Sequence, residues 1–290
     1  MEWIVPPEES GSKLISFLSN RLKDHYSARA LKAMLEHHQC QLNGRIERFA
    51  STIVGKGDHI QLILDHPVVK PTFKVEPERI LYEDESILAY NKPSGMSSDE
   101  QGILKVVRSY CPSLLLVHRL DKETTGVLLF AKNKAVFQAL VEEFKQFRVK
   151  KCYAALVDGI LDKNRGTIQN YLGKKHHYDG QTIWGAVTSH GLFAHTDWEC
   201  FKRGKKASFV LCYPKTGRTH QLRVHLAEIG HPILGDFQYG KHFICPFRPS
   251  RYLLHAYSID FFLPNTNTPL HIQAPLPSDF VQAQKELHLT

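Results

Sequence analysis

The chain has 290 residues, 42% of them hydrophobic, with 37 Lys/Arg against 29 Asp/Glu and a formal net charge of +8. That length suits one large domain or two with their own cores, and the positive balance favours polyanionic partners such as nucleic acid. The six cysteines contain no Cys-x-x-Cys pair, the N-terminus shows no charged-then-apolar signal pattern, and no apolar run approaches the ~20 residues of a membrane span, so the expectation is a cytoplasmic chain with free thiols, no membrane association and, by default, a monomeric state.

Residues 1–66 read as a small α/β unit. Ser12 is the expected cap of a helix with apolar positions Leu14, Phe17, Leu18 and Leu22, and Ser27 of a second carrying Leu31, Met34 and Leu35. Asn43-Gly44 is a hairpin turn signal, and a strand with Ile60, Leu62 and Leu64 on one face follows Gly57-Asp58. Eight Lys/Arg are matched here by eight Asp/Glu, so the positive excess lies in residues 67–290. An RNA face on this unit must therefore come from one-sided placement of Arg21, Lys23, Arg29 and Lys32. Two prolines and no helical period make residues 67–76 a linker.

Residues 77–290 alternate short strands with a few helices, which predicts an α+β domain on a mixed, largely antiparallel sheet with flanking helices. Val127, Leu128, Leu129, Phe130 and Ala131 read as a buried strand directly behind Val117–Gly126. That order places Asp121 at the rim of a sheet, beside His118 and Arg119, where a carboxylate can be aimed as a nucleophile or general base. Asn133 is the expected cap of a helix with Val136, Phe137, Leu140, Val141 and Phe144 on its apolar face. Residues 150–157 and 206–213 read as strands, with Tyr153, Ala155 and Val157 sharing a face. Residues 171–191 are polar and irregular and read as a loop or insertion. A last helix is expected from a Thr219 cap to Gly230, with Leu222, Leu226 and Ile229 as its stripe and Arg223 to one side with His220. His220, His225 and His231 do not form a metal set, because His220 and His225 are five apart on a helix and no cysteine or carboxylate completes a shell.

Four segments taken in order carry a family resemblance: Ile80–Gly95, Val117–Gly126, Lys151–Gly159 and Thr216–Asp236. Together they resemble the RluA-type pseudouridine synthases over nearly the whole chain. Residues 1–66, through Gly11, Leu14, Phe17, Leu18, Arg29, Asn43-Gly44 and Gly57-Asp58, resemble a small RNA-binding module named after a small-subunit ribosomal protein. The resemblance implies conversion of uridine in structured RNA to pseudouridine, with no cofactor and no metal. It makes Asp121 the catalytic carboxylate, attacking either sugar or base. It makes Tyr153 the ring stacked on the target base, Arg223 the charge partner of Asp121, and Arg119 a guanidinium that fills the stack vacated by a flipped nucleotide. His118 is placed in support of substrate binding, and Arg218 against phosphate. Lys92, Pro93 and Gly95 form a turn near the site, although Met96–Glu100 departs from the family's usual apolar residues and His-Pro. The N-terminal module tilts the expected substrate towards ribosomal RNA over transfer RNA. The rival reading is a non-catalytic RNA-binding or ribosome-assembly factor, against which an intact Asp121, Tyr153 and Arg223 argue. A phosphohydrolase lacks its glycine-rich phosphate loop here.

Overall fold

The computed structural model describes residues 1–36, 39–47, 49–63, 75–178, 181–240, 242–264 and 266–289, with the side chains of residues 29, 33, 36, 45, 176–178 and 181 outside that description. The chain divides into two compact units, Met1–Phe73 and Lys74–Thr290. Most of the stretch expected to be a linker, residues 67–74, lies outside the described residues.

The first unit comprises β1 (Glu2–Ile4), α1 (Leu14–Leu22), α2 (Ala28–Glu36), β2 (Cys40–Leu42), β3 (Arg45–Ile46) and β4 (His59–Leu62), in a sheet ordered β1-β4-β2-β3. Leu14, Phe17, Leu18 and Leu22 of α1 meet Leu31, Met34 and Leu35 of α2 over Ile60 and Leu62, as the helical and strand periods require. Ser27 caps α2, its Oγ accepting the Ala30 N–H at 3.2 Å. Ser12 does not cap α1. The extended residue before that helix is Lys13, held in a bridge to Ile53, so the Ser12 hydroxyl is turned inward. Asn43 and Gly44, at φ +53° and +73°, make the left-handed two-residue turn that their chemistry predicts.

The second unit contains β5 (Ile80–Glu83), β6 (Ile87–Lys92), α3 (Ile103–Arg108), β7 (Leu115–Leu116), β8 (Thr125–Ala131), α4 (Lys134–Lys145), β9 (Lys150–Asp158), β10 (Arg165–Tyr178) and β11 (Gln181–Ala186). It continues with β12 (Leu192–Arg203), β13 (Ala207–Pro214), α5 (Gln221–Glu228), β14 (Leu254–Phe262), β15 (Pro269–Gln273) and α6 (Ser278–Glu286). Its sheet runs β11-β10-β12-β13-β9-β14-β8-β6-β5, with β15 on β14 and β7 on β8. Among the described residues all pairings are antiparallel except β14 with β8, so the sheet is mixed and mostly antiparallel. That one parallel contact positions the site. Gly126, at φ +108°, lies so close to β14 that a Cβ would stand 2.2 Å from the Ala256 carbonyl oxygen, which only glycine allows.

Asn133 caps α4 by accepting the Val136 N–H at 2.9 Å. Most of the polar stretch 171–191 is not a loop: its described residues up to Ala186 belong to the β10–β11 hairpin, paired from Leu172–Ala186 to Tyr178–Gln181, and among its described residues only 187–191 are irregular. The ladder satisfies the backbone, so the strands form without the apolar alternation that a half-buried strand would show. Nor does Thr219 cap α5. His220 precedes the helix in a left-handed conformation with no side-chain cap, and the Gln221 carboxamide ties the preceding turn by accepting from Thr216 Oγ1 at 2.7 Å and from the Arg218 N–H at 3.0 Å. Gly230, at φ +85°, ends the helix as read.

Candidate active site

Asp121 sits on the loop that enters β8. The loop turns back on itself through the Thr124 N–H, which donates to the Asp121 carbonyl at 3.0 Å. Residues 92–98 brace it. Ser98 Oγ donates to the Leu120 carbonyl at 2.8 Å and accepts the Leu120 N–H at 3.1 Å. Lys92 is fully buried, and its ammonium donates to the carbonyls of Pro93, Met96 and Lys122 at 3.0, 2.8 and 3.0 Å. Three N–H donors thus meet three acceptors, and Lys92 ties the turn 93–96 to the residue after Asp121. On the other flank Arg251 Nη1 donates to the Glu123 carbonyl at 3.1 Å, while its Nε and Nη2 clasp Asp279 of α6 at 2.6 and 3.0 Å.

The Asp121 carboxylate is 29% exposed and faces two groups from the start of α5: Arg223 Nη1 at 3.5 Å and His220 Nε2 at 3.9 Å, both from Oδ2. Both are near enough to act on its charge and too far for a short hydrogen bond. Arg223 itself is held elsewhere. Its Nε and Nη2 form a two-point pair with the fully buried Asp236 at 2.6 and 2.9 Å, and Nη2 also donates to Gln238 Oε1 at 2.8 Å. Its guanidinium lies over the rings of Tyr252 and Tyr239, 4.4 and 4.9 Å from their centroids. Burial opposes this charge, but Asp236 and then Tyr252 and Asp121 outweigh it and hold Arg223 firmly protonated.

Tyr153 stands on β9 beside Ala155 and Val157, against the cluster of Trp198, Val210, Leu222 and Leu254. Burial, and then the Asp121 charge, push its phenol well above the ordinary range, so it keeps its proton at neutral pH. Lys151, two residues earlier, donates to the Thr216 carbonyl at 3.2 Å, and burial next to Arg218 holds its ammonium down to about 8. Asp121, Lys151, Tyr153 and Arg223 line one cleft of about 100 Å³, which also takes in Arg119, Leu120, Thr124, Pro214, residues 216–218, residues 220–222 and Leu254.

Of the residues singled out in the sequence, Asp121, Tyr153, Arg223, Arg119 and Arg218 therefore share this cleft. Arg119 is exposed, and Arg218 Nε donates to the Phe193 carbonyl at 2.9 Å. His118 is the exception and does not line the cleft. Its ring stacks on Phe144 at 4.9 Å, its Nε2 accepts the Leu129 N–H at 3.2 Å, and burial holds it neutral with a pKa of about 3. Although close to Asp121 in sequence, His118 lies on the α4 side of the backbone. In the first unit Lys23 and Lys32 are exposed, whereas Arg21 is committed to an ion pair with Glu9 at 2.5 Å and lies 3.7 Å over the Phe17 ring. The Arg29 side chain lies outside the description. His225 is bonded to Thr196 and Asn170, and His231 to the Asp158 carbonyl. Sequence reasoning missed Gln238, Tyr239 and Tyr252, which hold Arg223, and gave Asp236 only as the end of the resembling segment Thr216–Asp236, not as the partner of Arg223.

Residues 86–228 match the family model for RNA pseudouridylate synthase. A ribosomal large subunit pseudouridine synthase C of Pasteurella multocida is 38% identical over 211 residues, 69% of this chain and 64% of the relative's length. A ribosomal large subunit pseudouridine synthase D of Haemophilus influenzae is 32% identical over 304 residues, 96% of this chain and 92% of the relative. Among solved structures, human RNA pseudouridylate synthase domain containing 4 superposes with a TM-score of 0.62 at 27% identity, over 73% of this chain and 93% of that one. The human domain containing 1 protein does so with 0.60 at 28% identity, over 75% and 98%.

Proposed function

The chain belongs to the RNA pseudouridylate synthase family, isomerases that act on RNA, and on that premise we propose that it converts specific uridines of large-subunit ribosomal RNA to pseudouridine. The observation that carries this reading is Asp121, aimed by a braced loop into a cleft where it meets Arg223 and the ring of Tyr153.

The reaction breaks the bond from ribose C1′ to N1 of uracil, turns the detached base and joins C1′ to C5. The C5 proton leaves and N1 regains one, so nothing is oxidised and no group is transferred between molecules. Asp121 supplies the carboxylate on which this exchange turns. Arg223, clamped by Asp236, holds a fixed positive charge beside it, and a charge fixed in advance needs no reorganisation as the carboxylate is engaged and released. The Tyr153 ring stacks on the base and keeps it from diffusing away, and base–aromatic stacking is worth about 1–3 kcal/mol. Arg119, exposed at the cleft, is suited to filling the stack left by the extruded uridine, and Arg218 and Lys151 to meeting backbone phosphate.

Residues 1–66 act as an accessory RNA-binding module in this reading, with Lys23 and Lys32 as its available cations, joined by residues 67–76 to the catalytic domain 77–290. The protein works as a cytoplasmic monomer on structured RNA. All six cysteines are free, as a reducing compartment requires, and among the described residues no helix is long and apolar enough to cross a membrane. Pseudouridine mapping in cells carrying wild-type chain or Asp121→Asn tests the assignment. Loss of one or more large-subunit sites is expected. Unchanged pseudouridine at every site refutes the activity, and loss confined to transfer RNA refutes the substrate.

A further inference from the structure

His220 occupies the left-handed region, at φ +55° and ψ +17°, immediately before α5. A non-glycine residue adopts that conformation at a cost, and such residues cluster where a site requires their placement. The two ring nitrogens face two different groups. Nε2 is 3.9 Å from Asp121 Oδ2, and Nδ1 is 2.7 Å from the Tyr239 hydroxyl oxygen. The same oxygen accepts the backbone N–H of Trp184 at 3.2 Å.

These contacts select a tautomer. Burial first, and then the nearby Arg223 charge, hold the His220 imidazole neutral, with a pKa down to about 4. One ring nitrogen therefore carries a proton and the other a lone pair. If Nδ1 held the proton, it and the Trp184 N–H would both point at the Tyr239 oxygen. The phenolic proton would then have no acceptor at this contact, and the Nε2 lone pair would face the Asp121 carboxylate. If the Tyr239 O–H donates to Nδ1, the phenolic proton and the Nδ1 lone pair satisfy each other, and Nε2 turns an N–H rather than a lone pair towards Oδ2 at 3.9 Å.

We propose that Tyr239 is a positioning residue that fixes His220 as the Nε2–H tautomer and thereby aims a second donor, beside Arg223, at Asp121. The chain of contacts is Trp184 N–H to Tyr239, Tyr239 O–H to His220 Nδ1, and His220 Nε2–H to the carboxylate. Trp184 lies on β11, and Thr182 of the same strand accepts from Gln238 Nε2 at 3.3 Å, so the edge strand of the hairpin is what places the hydroxyl. The ring of Tyr239 lies over Arg223 independently of its hydroxyl. The function of the donor rests on the reading of Asp121 as the reacting carboxylate. Two donors converging on Oδ2 stabilise the charge that returns to this oxygen each time the carboxylate is released, and a donor already in place does so without reorganisation.

The test uses the full chain, ¹⁵N-labelled, with long-range ¹⁵N–¹H spectra of the imidazoles. A His220→Asn variant identifies the His220 resonances by their loss. The wild type is expected to show a protonated Nε2 and an unprotonated Nδ1, and Tyr239→Phe a mixture of tautomers or the opposite one. With an RNA substrate, Tyr239→Phe is expected to lower kcat about tenfold and leave KM within about twofold, because the lost interaction acts at the transition state. A wild-type His220 protonated at Nδ1 overturns the proposal, as does a Tyr239→Phe spectrum identical to wild type in this tautomer. Unchanged kcat with a raised KM overturns it too, by reducing Tyr239 to a binding role. The tautomer is read without catalysis, so failure of the proposed activity and failure of this proposal remain separate results.

Discussion

Asp236→Ala removes one partner of the most buried ion pair at the site. Arg223 is 5% exposed and Asp236 fully buried, and they share contacts of 2.6 and 2.9 Å. Stranding one member of such a pair typically costs about 3–5 kcal/mol, because an uncompensated charge stays in the interior. Arg223 would keep Gln238 at 2.8 Å, the faces of Tyr239 and Tyr252, and Asp121 at 3.5 Å. These remaining partners compensate part of the stranded charge, which places the expected loss at the lower end, about 3 kcal/mol. Asparagine is not a mild replacement here, since its amide nitrogen would face an Arg223 N–H in place of an acceptor.

Urea unfolding of the full chain followed by circular dichroism measures this cost, with the transition of the second unit moving to lower denaturant. Arg223→Met combined with Asp236→Leu is the informative partner experiment. A buried pair replaced by apolar side chains of similar size is often neutral or stabilising, so the double variant should recover most of the stability and none of the activity. A loss below about 1 kcal/mol for Asp236→Ala, the range of an exposed pair, would refute the argument that Asp236 is what holds Arg223.

Further outcomes follow from the same geometry. Tyr153→Phe keeps the ring and should retain most activity, whereas Tyr153→Leu loses stacking worth about 1–3 kcal/mol and should lower kcat/KM by roughly 5- to 150-fold; equal activity of the two variants would contradict the stacking role. Burial holds His220, His225 and His255 down to about 4. Between there and the ordinary ~6.5 the unfolded chain binds more protons than the folded one, so stability should fall as pH drops through that window, and a urea midpoint as high at pH 5 as at pH 7.5 would contradict it. Gly126→Ala sets a Cβ against the Ala256 carbonyl in a left-handed backbone, and thermal unfolding should show a loss larger than the ~1 kcal/mol of an ordinary glycine substitution. RNA affinity, measured by filter binding, should fall steeply between low and high salt if Lys and Arg contacts to phosphate dominate; a flat response would make the +8 charge incidental.

What the sequence made legible was local or carried by long motifs. The buried run of β8, the strands β9 and β13, the Asn133 cap and the Asn43-Gly44 turn each follow from a few neighbouring residues whose chemistry permits one outcome. Asp121, Tyr153 and Arg223 were legible as a set only through the four resembling segments, because nothing in spacing alone brings β9, α5 and the loop before β8 together. The hairpin β10–β11 was missed although Asp179-Gly180 is a hairpin dipeptide, since its polar strands lack the alternation that marks a half-buried sheet. The caps assigned to Ser12 and Thr219 failed because each helix starts one residue later than residue type suggested, with Lys13 and His220 in the position before it. His118 shows the limit of adjacency, for a backbone turn sends neighbouring side chains to opposite sides. Asp236 shows the converse. Its carboxylate reaches Arg223 because Gly235, at φ +85°, passes within 2.3 Å of the Arg251 carbonyl oxygen at its Cβ position, an approach that only a residue without a side chain can make. The orientation of the site's positive charge is thus set by a glycine turn and a buried acid lying beyond the helix that carries the arginine, and that long-range packing is what a linear pattern of residue types does not encode.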